Sequence, residues 1–340
     1  MNYILYADNA FMHFFHSKTK GLCLKIKKNG QWSDTSFLCH DSKDGFFVYL
    51  DKNEKIHILC CNIKNDIIYI TNKNSEWQTF VLSIGKPDIS PLEFKIAQTG
   101  NILSFFYSAS FKDSVILVHC ILGKNAKPES LDCLLTTCAK FSVNLGKIYY
   151  TNKDGILGFR DFSDGKPGEF FKIAENATYP YAVNINSKEY LLYKKDGFIF
   201  LNNTKIFSDP LCTFPVISNK DNKLTIQWKS NSFVRYLTSF NNGATWSSPM
   251  RFIGSGEEIC TFFIQTGGQS HICYGQNMNP DPVIYGKTNL FFYETPDIST
   301  PTDTEEFLPT EYKKLQILID MQNREIKTLK SRIKKLENSD

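Results

Sequence analysis

The sequence is poor in arginine. Of its 39 basic residues only five are arginine, and only Arg160, Arg235 and Arg251 precede the last 40 residues. A guanidinium group binds a carboxylate or phosphate through two parallel hydrogen bonds, which lysine cannot reproduce. The lysines are spread among acidic residues instead of forming a patch or stripe, which is not typical of a nucleic-acid-binding protein. We therefore expect no nucleic-acid partner.

The sequence also lacks long apolar runs and ordered cysteine motifs. No stretch approaches the ~18 apolar residues that a membrane-spanning helix needs. The N-terminal segment 1–8 has neither the basic region nor the apolar length of a signal peptide. The ten cysteines include no CxxC pair, and scattered cysteines without an export signal indicate reduced thiols. These absences predict a cytoplasmic protein with no membrane span.

What the chain does contain is a repeat. Short turns, each followed by a strand that opens a new hydrophobic hairpin, recur at roughly 34 to 47 residues, a period typical of solenoids, propellers and arrays. The turns are Asp8-Asn9, Asp51-Lys52-Asn53, Thr99-Gly100, Leu145-Gly146, Asn186-Ser187-Lys188, Lys220-Asp221-Asn222 and Gly267-Gly268.

Each repeat divides into four short strands, many of them apolar on both faces, as in residues 56–61. The first repeat is predicted to contain strands 3–7, 10–16, 22–28 and 31–39. Radial packing of four-stranded antiparallel sheets buries both faces of each sheet, whereas a sandwich would leave one face wet. The pattern predicts an all-β fold, a β-propeller of seven four-stranded blades over residues 1–293. The short fifth repeat, 179–208, leaves six or eight blades open.

The composition changes near residue 294. Residues 294–307 combine two prolines with small polar residues and predict a linker. Residues 308–338 then show two series of residues seven apart, the a/d pattern of an α-helical coiled coil. The predicted oligomerisation residues are Tyr312, Leu315, Ile319, Gln322, Ile326, Leu329, Ile333 and Leu336.

Isoleucine at a with leucine at d favours a parallel two-stranded coil. In that register Glu325 faces Lys330 of a second chain and Arg332 faces Glu337, so both pairs attract. Ile317 and Leu318 widen the apolar face, which leaves a trimer possible. We expect a homo-oligomer, although a single amphipathic helix packed on the propeller would give the same pattern.

One turn has a distinctive motif, Ser239-Phe240-Asn241-Asn242-Gly243-Ala244-Thr245-Trp246. It resembles the Asp box of sialidase-like (BNR-repeat) propellers, S-x-D-x-G-x-T-W, with Asn241 in place of the aspartate. The resemblance implies a structural hairpin between the outer strands of a blade, in which Ser239, Asn241, Gly243, Thr245 and Trp246 build the turn. Residues 29–34, 71–77 and 163–165 keep parts of the pattern. The box is a marker of fold and carries no activity.

The resemblance implies no sialidase activity, because the family's active site holds the substrate carboxylate with three arginines. Arg235 and Arg251 flank the box on outer strands, so the triad cannot be assembled. Other glycoside hydrolases need two carboxylates across one bond. Candidates at the starts of blades are Asp44, Glu93, Glu175, Asp209 and Glu257. Acids occur at such positions in any propeller, so we predict no catalytic residues.

Three histidines, His13, His57 and His271, lie at nearly the same offset after their turns, on the second strand of their repeats. Equivalent positions on neighbouring blades lie about 10 Å apart, whereas zinc ligands must approach one ion within about 2.1 Å. We interpret them as residues that fill gaps between blades and bond a loop backbone. No P-loop, HExxH or dinucleotide fingerprint is present. We expect no metal and no cofactor.

The sequence therefore predicts a non-enzymatic, oligomeric interaction or scaffold protein that binds a protein or glycan partner. One alternative is a carbohydrate-binding propeller or hydrolase relative, for which Tyr179-Pro180-Tyr181 and Tyr274 would be exposed aromatic platforms. Another alternative is a receptor-binding head of a phage or surface fibre, joined to others by the coil.

Overall fold

The structure is a computed structural model that describes residues 1–73, 76–122, 128–162, 167–220, 223–252, 259–266, 269–276 and 282–285. The chain divides into two compact units, Met1–Glu294 and Thr295–Asp340. The predicted linker and coiled coil, 294–307 and 308–338, lie outside the described residues. In the described part, no helix has the length and apolarity to span a membrane.

The described residues contain twenty-eight strands, which follow one another in chain order. The first repeat contains β1 (Asn2–Ala7), β2 (Ala10–Ser17), β3 (Gly21–Lys28), β4 (Gln31–Trp32) and β5 (Ser36–Cys39). The next two contain β6 (Ser42–Leu50), β7 (Ile56–Asn62), β8 (Ile67–Lys73), β9 (Glu76–Ser83), β10 (Ile89–Thr99), β11 (Ile102–Phe111), β12 (Ser114–Leu122) and β13 (Pro128–Thr136).

The remaining strands continue the same order. Two further groups are β14 (Ser142–Asn144), β15 (Lys147–Thr151), β16 (Ile156–Asp161), β17 (Phe171–Glu175), β18 (Ala177–Ile185), β19 (Lys188–Lys195), β20 (Phe198–Leu201) and β21 (Thr204–Ser208). The last are β22 (Cys212–Lys220), β23 (Lys223–Ser230), β24 (Phe233–Ser239), β25 (Met250–Phe252), β26 (Ile259–Thr266), β27 (Gln269–Gln276) and β28 (Val283–Ile284).

Within each repeat, consecutive strands pair antiparallel. Five sheets have four strands: β6–β9, β10–β13, β14–β17, β18–β21 and β22–β25. A sixth sheet of eight strands joins the beginning and end of the described chain in the order β28-β27-β26-β1-β2-β3-β4, with β5 on β3. The junction is a parallel pairing from Asn2↔Phe262 to Tyr6↔Thr266. This closed arrangement of radial sheets is a β-propeller, which confirms the predicted all-β class.

One predicted strand is divided. Residues 31–39, expected as a single fourth strand, form β4 and β5, both paired with β3. Ser33 lies between them, where its Oγ accepts a hydrogen bond from the Ile26 amide at 3.0 Å and donates one to the Asp34 carbonyl at 2.8 Å. A side chain that bonds the neighbouring backbone competes with the strand ladder, so the strand breaks there.

Burial follows the expected two-sided pattern. Every residue of β7 is buried, and Ile56, Ile58, Leu59, Cys60 and Cys61 belong to the main core. All ten cysteines lie in the described part and are free thiols, and seven of them are buried.

Two buried glutamines tie neighbouring sheets together. Gln265 on β26 accepts from the Leu50 amide at 2.9 Å and donates to the Leu50 carbonyl at 2.6 Å. Gln227 on β23 likewise accepts from the Tyr274 amide and donates to the Tyr285 carbonyl, both at 3.0 Å. A carboxamide offers one acceptor and a donor group side by side, so each glutamine replaces a missing ladder partner.

We predict that Gln265→Leu destabilises the protein by about 2–4 kcal/mol, because it leaves the buried N–H and C=O of Leu50 without partners. The measurement is the free energy of unfolding from urea titration. Gln78→Leu is the matched control: Gln78 is exposed on β9, so its change is expected within about 0.5 kcal/mol. Equal stability of the two variants would show that the Gln265 bonds contribute little.

Candidate functional site

In three repeats the first strand of the sheet contains a bulge that includes a proline. The register shifts between Pro91 and Glu93 on β10, across Pro180 on β18 and across Pro215 on β22. Proline has no N–H to donate, so inside a sheet it is confined to edges and bulges. A bulge also turns the adjacent side chains to new directions. These bulges lie on the strands that line the centre of the propeller.

Two of these bulges hold bulky residues in the left-handed region. Tyr179 has φ 56° and Phe214 has φ 46°, each directly before a proline. Such a conformation costs about 1–2 kcal/mol for a residue with a Cβ atom. The Tyr274 hydroxyl donates to the carbonyls of Thr213 at 3.1 Å and Phe214 at 2.9 Å, which stabilises the second bulge.

The first strands surround two cavities. The upper cavity, of about 390 Å³, lies where first strands end and includes residues of their turns. Its lining residues are Phe47, Lys95, Phe141, Ser142, Val143, Asn144, Leu145, Pro180, Tyr181, Ala182, Val183, Asn184, Asn186, Ser187, Phe214, Phe263, Ser270, His271 and Ile272.

The lower cavity, of about 380 Å³, lies where the first strands begin. Its lining residues are Met1, Tyr3, Asp44, Gly45, Phe46, Leu92, Glu93, Phe94, Lys140, Thr213, Phe214, Lys229, Ile259, Cys260, Thr261 and Tyr274. Phe214 lines both cavities. The rings of Tyr3, Phe47 and Phe263 pack within 5.2–5.5 Å of one another, so aromatic side chains separate the two spaces.

Lys95, Glu93 and Lys140 form a charged trio that extends from one cavity to the other. Lys95 Nζ donates to Glu93 Oε1 at 2.7 Å, and Lys140 Nζ donates to Glu93 Oε2. The side chains of Lys95 and Glu93 are about nine-tenths buried, whereas that of Lys140 is 40% exposed. Lys95 Nζ also lies 5.0 Å from the centroid of the Phe47 ring, a cation–π contact. Lys95 faces the upper cavity, and Lys140 faces the lower one.

The contacts within the trio determine the charge states of Glu93 and Lys95. Burial alone would raise the pKa of Glu93, but the charges and hydrogen bonds of Lys95 and Lys140 outweigh it and lower the pKa to about 2. Burial lowers the pKa of Lys95, and the Glu93 carboxylate offsets only part of this effect. Glu93 is therefore ionised at neutral pH and cannot supply a proton as a general acid.

The structure separates the predicted acids. Asp44 and Glu93 line the lower cavity, but Glu175 lies on the outer strand β17 and pairs with Lys172 at 2.5 Å. Asp209 is buried, where it accepts from Trp228 Nε1 at 2.8 Å and from Ser230 Oγ at 3.2 Å. Glu257 lies outside the described residues.

The three arginines of the propeller lie on third or fourth strands. Arg160 is on β16, Arg235 on β24 and Arg251 on β25. Arg235 Nη1 lies 3.6 Å from Asp209 Oδ2, and Arg251 lies over the Phe233 ring. None of the three arginines is among the described lining residues of either cavity.

The histidine trio lies on second strands, at β2, β7 and β27, but its members differ in environment. His57 contacts the Tyr69 hydroxyl at 2.7 Å and the Asp51 carboxylate at 3.2 Å. It therefore bonds side chains, not the loop backbone we expected. His13 packs on Phe15 and Phe262, and burial lowers its pKa to about 3. His271 lines the upper cavity. The described residues contain no cluster of metal-ligating side chains.

The turn after β24 is held by its own side chains. Ser239 Oγ accepts from the Gly243 amide, and Asn241 Oδ1 accepts from the Thr245 amide, both at 2.9 Å. Asn241 Nδ2 also donates to Thr245 Oγ1 at 2.9 Å. Gly243 has φ +89°, and Trp246 packs against the main core.

The same backbone bonds recur in the first repeat. Ser247 Oγ accepts from the Thr238 amide and donates to the Ser248 carbonyl. Ser33 Oγ makes the equivalent pair of bonds with Ile26 and Asp34. A Trp-Ser dipeptide after the third strand therefore builds the same local structure in two repeats.

The aromatic platforms predicted from the sequence are only partly in place. Tyr181 lines the upper cavity, although its hydroxyl accepts from the Ile272 amide at 2.9 Å. Tyr274 is 3% exposed and is not a surface platform, because its hydroxyl is used by the β22 bulge. Lys95, Lys140 and Phe47 were not predicted from the sequence. The prolines at 91, 180 and 215, each inside an apolar strand, are the signal that could have located the bulges beside them.

No family model matches the chain, and no curated protein matches it. Among solved structures it is similar to a mutant of AofleA from Arthrobotrys oligospora, with 9% identity over 82% of this chain and 80% of that chain, at a TM-score of 0.46. It is also similar to the six-bladed fucose-recognising lectin of Aleuria aurantia, with 9% identity, coverages of 82% and 87%, and a TM-score of 0.45.

A third similar structure is BBS1N in complex with ARL6DN, with 12% identity, coverages of 78% and 84%, and a TM-score of 0.49. Scores of this size carry no argument about function. The fold is therefore defined by the strand pairing above, and the resemblance to sialidase-like propellers stays a prediction.

We predict that Glu93→Gln destabilises the protein at neutral pH by about 3 kcal/mol or more, because it leaves the buried Lys95 ammonium without its carboxylate. Glu93 has a lowered pKa in the folded state, so its contribution is present above pH of about 4.5 and declines as pH falls towards 2. The stability gap between wild type and variant should narrow over that window.

The measurement is urea unfolding at several pH values between about 7 and 2.5. Glu169→Gln, at an exposed position, is the control and should track the wild type. A gap that stays constant with pH would contradict the charge assignment of the trio.

Proposed function

We propose that this protein is a non-enzymatic binding propeller that takes a small polar organic molecule, such as a sugar, in its upper cavity. The supporting observation is the composition of the wall. Aromatic rings form one part of it, namely Phe47, Phe141, Tyr181, Phe214 and Phe263, and amide and hydroxyl groups of three asparagines and three serines form another. A cavity of this volume with an apolar surface and a few polar groups is typical of ligand sites.

The same wall disfavours hydrolysis. A glycosidase places two carboxyl groups on either side of the bond that it cleaves, whereas the described lining of the upper cavity includes no aspartate or glutamate. In the lower cavity, Glu93 is held ionised by two lysines. These features support a binding role over a catalytic one.

The proposal includes a propeller of seven blades. Five sheets of four strands and one sheet that contains two groups, β1–β5 and β26–β28, support this number. We also propose that the turn with Ser239, Asn241, Gly243, Thr245 and Trp246 is a structural Asp box. Its bonds lie between the outer strands β24 and β25, and none of its residues lines the upper cavity as described.

Residues 308–338 would make the protein an oligomer through a coiled coil, with a parallel dimer favoured and a trimer as the alternative. The support is the heptad pattern of the sequence. Joining several propellers increases the effective concentration of their sites, so weak contacts with a multivalent glycan would combine into stronger binding.

Binding of a protein partner is the second candidate function, because one sheet has several exposed apolar side chains. Ile63, Val81 and Ile84 are between 59% and 81% exposed. The segments that contain Ile63 and Ile84 are held together by the Gly85 amide, which donates to Asp66 Oδ1 at 2.7 Å. Adjacent exposed apolar side chains are a feature of protein-binding surfaces.

We predict that the wild-type protein binds components of a glycan array and that Asn184→Trp weakens this binding about tenfold or more. Asn184 is exposed on β18 at the cavity wall, so a larger side chain would fill the cavity without disturbing the core. Ser114→Trp, at an exposed position of β12 away from the cavity, is the matched control. Equal loss in both variants, or no loss in either, would place the site elsewhere.

We predict that deleting residues 305–340 converts the oligomer to a monomer, because it removes the heptad seam. Light scattering coupled to size-exclusion chromatography gives the mass. Replacing Ile326 by Asp in the full chain should have the same effect, since a charge at an a position disrupts the seam. An unchanged mass in both variants would show that the tail is not the oligomerisation element.

A further inference from the structure

The charges of Lys95, Lys140 and Glu93, the trio at the centre of the propeller, do not cancel. Two lysines share one carboxylate, which leaves one net positive charge. In the described part of the chain, neither lysine pairs with a second carboxylate. The buried Lys95 shares its carboxylate partner with Lys140, so Glu93 neutralises neither lysine fully, and an anion that approaches Lys95 gains part of the interaction that the protein does not supply.

The two cavities differ in how they could receive that anion. The lower cavity contains the carboxylates of Asp44 and Glu93 beside Lys140, Lys229 and Met1, so an anion there would meet negative as well as positive charge. In the upper cavity Lys95 is the one lysine or arginine of the described lining, and that lining includes no carboxylate, because its partner Glu93 lines the lower cavity. The uncompensated charge therefore favours an anion in the upper cavity.

The ammonium group of Lys95 has hydrogen-bond donors that Glu93 does not use. An ammonium group has three N–H donors, and Glu93 accepts one of them at 2.7 Å. The Phe47 ring lies on another side of the group. Lys95 lies in an aromatic environment, where a charge-assisted hydrogen bond is stronger than in water. The lowered pKa of Lys95, caused by burial that Glu93 only partly offsets, agrees with an under-compensated ammonium.

The rest of the wall offers neutral partners for the same ligand. Asn184, Asn186 and Ser187 are exposed at the cavity mouth. Their side chains make no hydrogen bond within the described part of the chain. Amide and hydroxyl groups can donate to the remaining oxygens of an oxyanion or to the hydroxyls of its carbon skeleton.

We propose that the upper cavity binds a small organic anion whose single oxyanion group, a carboxylate or a phosphate, accepts a hydrogen bond from Lys95. This inference rests on the proposed function and specifies the charge of its ligand. Asn184, Asn186 and Ser187 hold the uncharged part, and the Phe47 ring limits the site to a group that fits beside Lys95.

The test uses the full chain with lysine labelled at ¹³Cε, and the Lys95 resonance is assigned by its loss in Lys95→Met. The probes are sodium acetate, inorganic phosphate and acetamide at constant ionic strength. Acetate and acetamide match in size and differ in charge. We expect acetate or phosphate to shift the Lys95 resonance and acetamide to leave it unchanged. The anion that binds with the higher affinity identifies the carboxylate or the phosphate as the group bound.

Two variants separate direct contact from general charge. In Lys95→Met the anion affinity, followed by the side-chain amide of Asn184, should fall about tenfold or more, the cost of one charged hydrogen bond. Lys229→Met removes one positive charge from the lower cavity and should bind the anions as the wild type does. Circular dichroism confirms that both variants are folded.

The proposal is overturned if neither anion shifts the Lys95 resonance, if acetamide shifts it equally, or if Lys95→Met leaves the affinity unchanged. These results are distinct from failure of the proposed function. A protein that binds neutral glycans in an Asn184→Trp-sensitive manner but does not respond to the anions retains the proposed function and loses only this inference.

Discussion

The parallel pairing of β1 with β26 is the constraint on which the rest of the structure depends. Every other sheet is a meander of strands close in sequence, which can form locally. This pairing instead joins residues separated by nearly the whole described chain, Asn2 with Phe262 and Tyr6 with Thr266. It covers the inner strand edges of the first and last repeats, which would otherwise be open to pairing with another chain. It also brings Tyr3 against Phe263, at the boundary between the two cavities.

Closure explains why strain and charge can persist at the centre. The left-handed Tyr179 and Phe214, and the buried Lys95 and Glu93, are each unfavourable in isolation. They lie on first strands that are fixed by neighbouring repeats on both sides. Cross-repeat bonds hold them further: Tyr274 bonds the carbonyls of the β22 bulge, and Tyr181 accepts from the amide of Ile272. Local costs of this kind are tolerated where the surrounding structure over-determines them.

The repeat and its strands were predictable because they depend on local signals. Turn residues, apolar runs and the Trp-Ser pairs act within about ten residues of one another, so β1, β2 and β3 lie within one residue of the bounds expected from the sequence. The division of β4 from β5 required knowledge of the Ser33 bonds. The site was mostly not predictable, because Lys140 meets Glu93 although the two residues are 47 positions apart in the sequence. Glu93 was one of five candidate acids with no local feature to favour it.

The outer and inner parts of the repeats differ in how far they resemble one another, and this difference agrees with the binding cavity proposed at the axis. Ser33 and Ser247 make equivalent bonds on the outer side of two repeats, where each sheet must close its own hairpin. At equivalent inner positions the repeats diverge: the first strands contribute Tyr3, Phe47, Lys95 and Phe263 to one contiguous region. A site made of identical copies would be symmetric about the axis. Because these residues differ in charge and size, the cavities are asymmetric, and an asymmetric cavity can orient one small ligand in a single way.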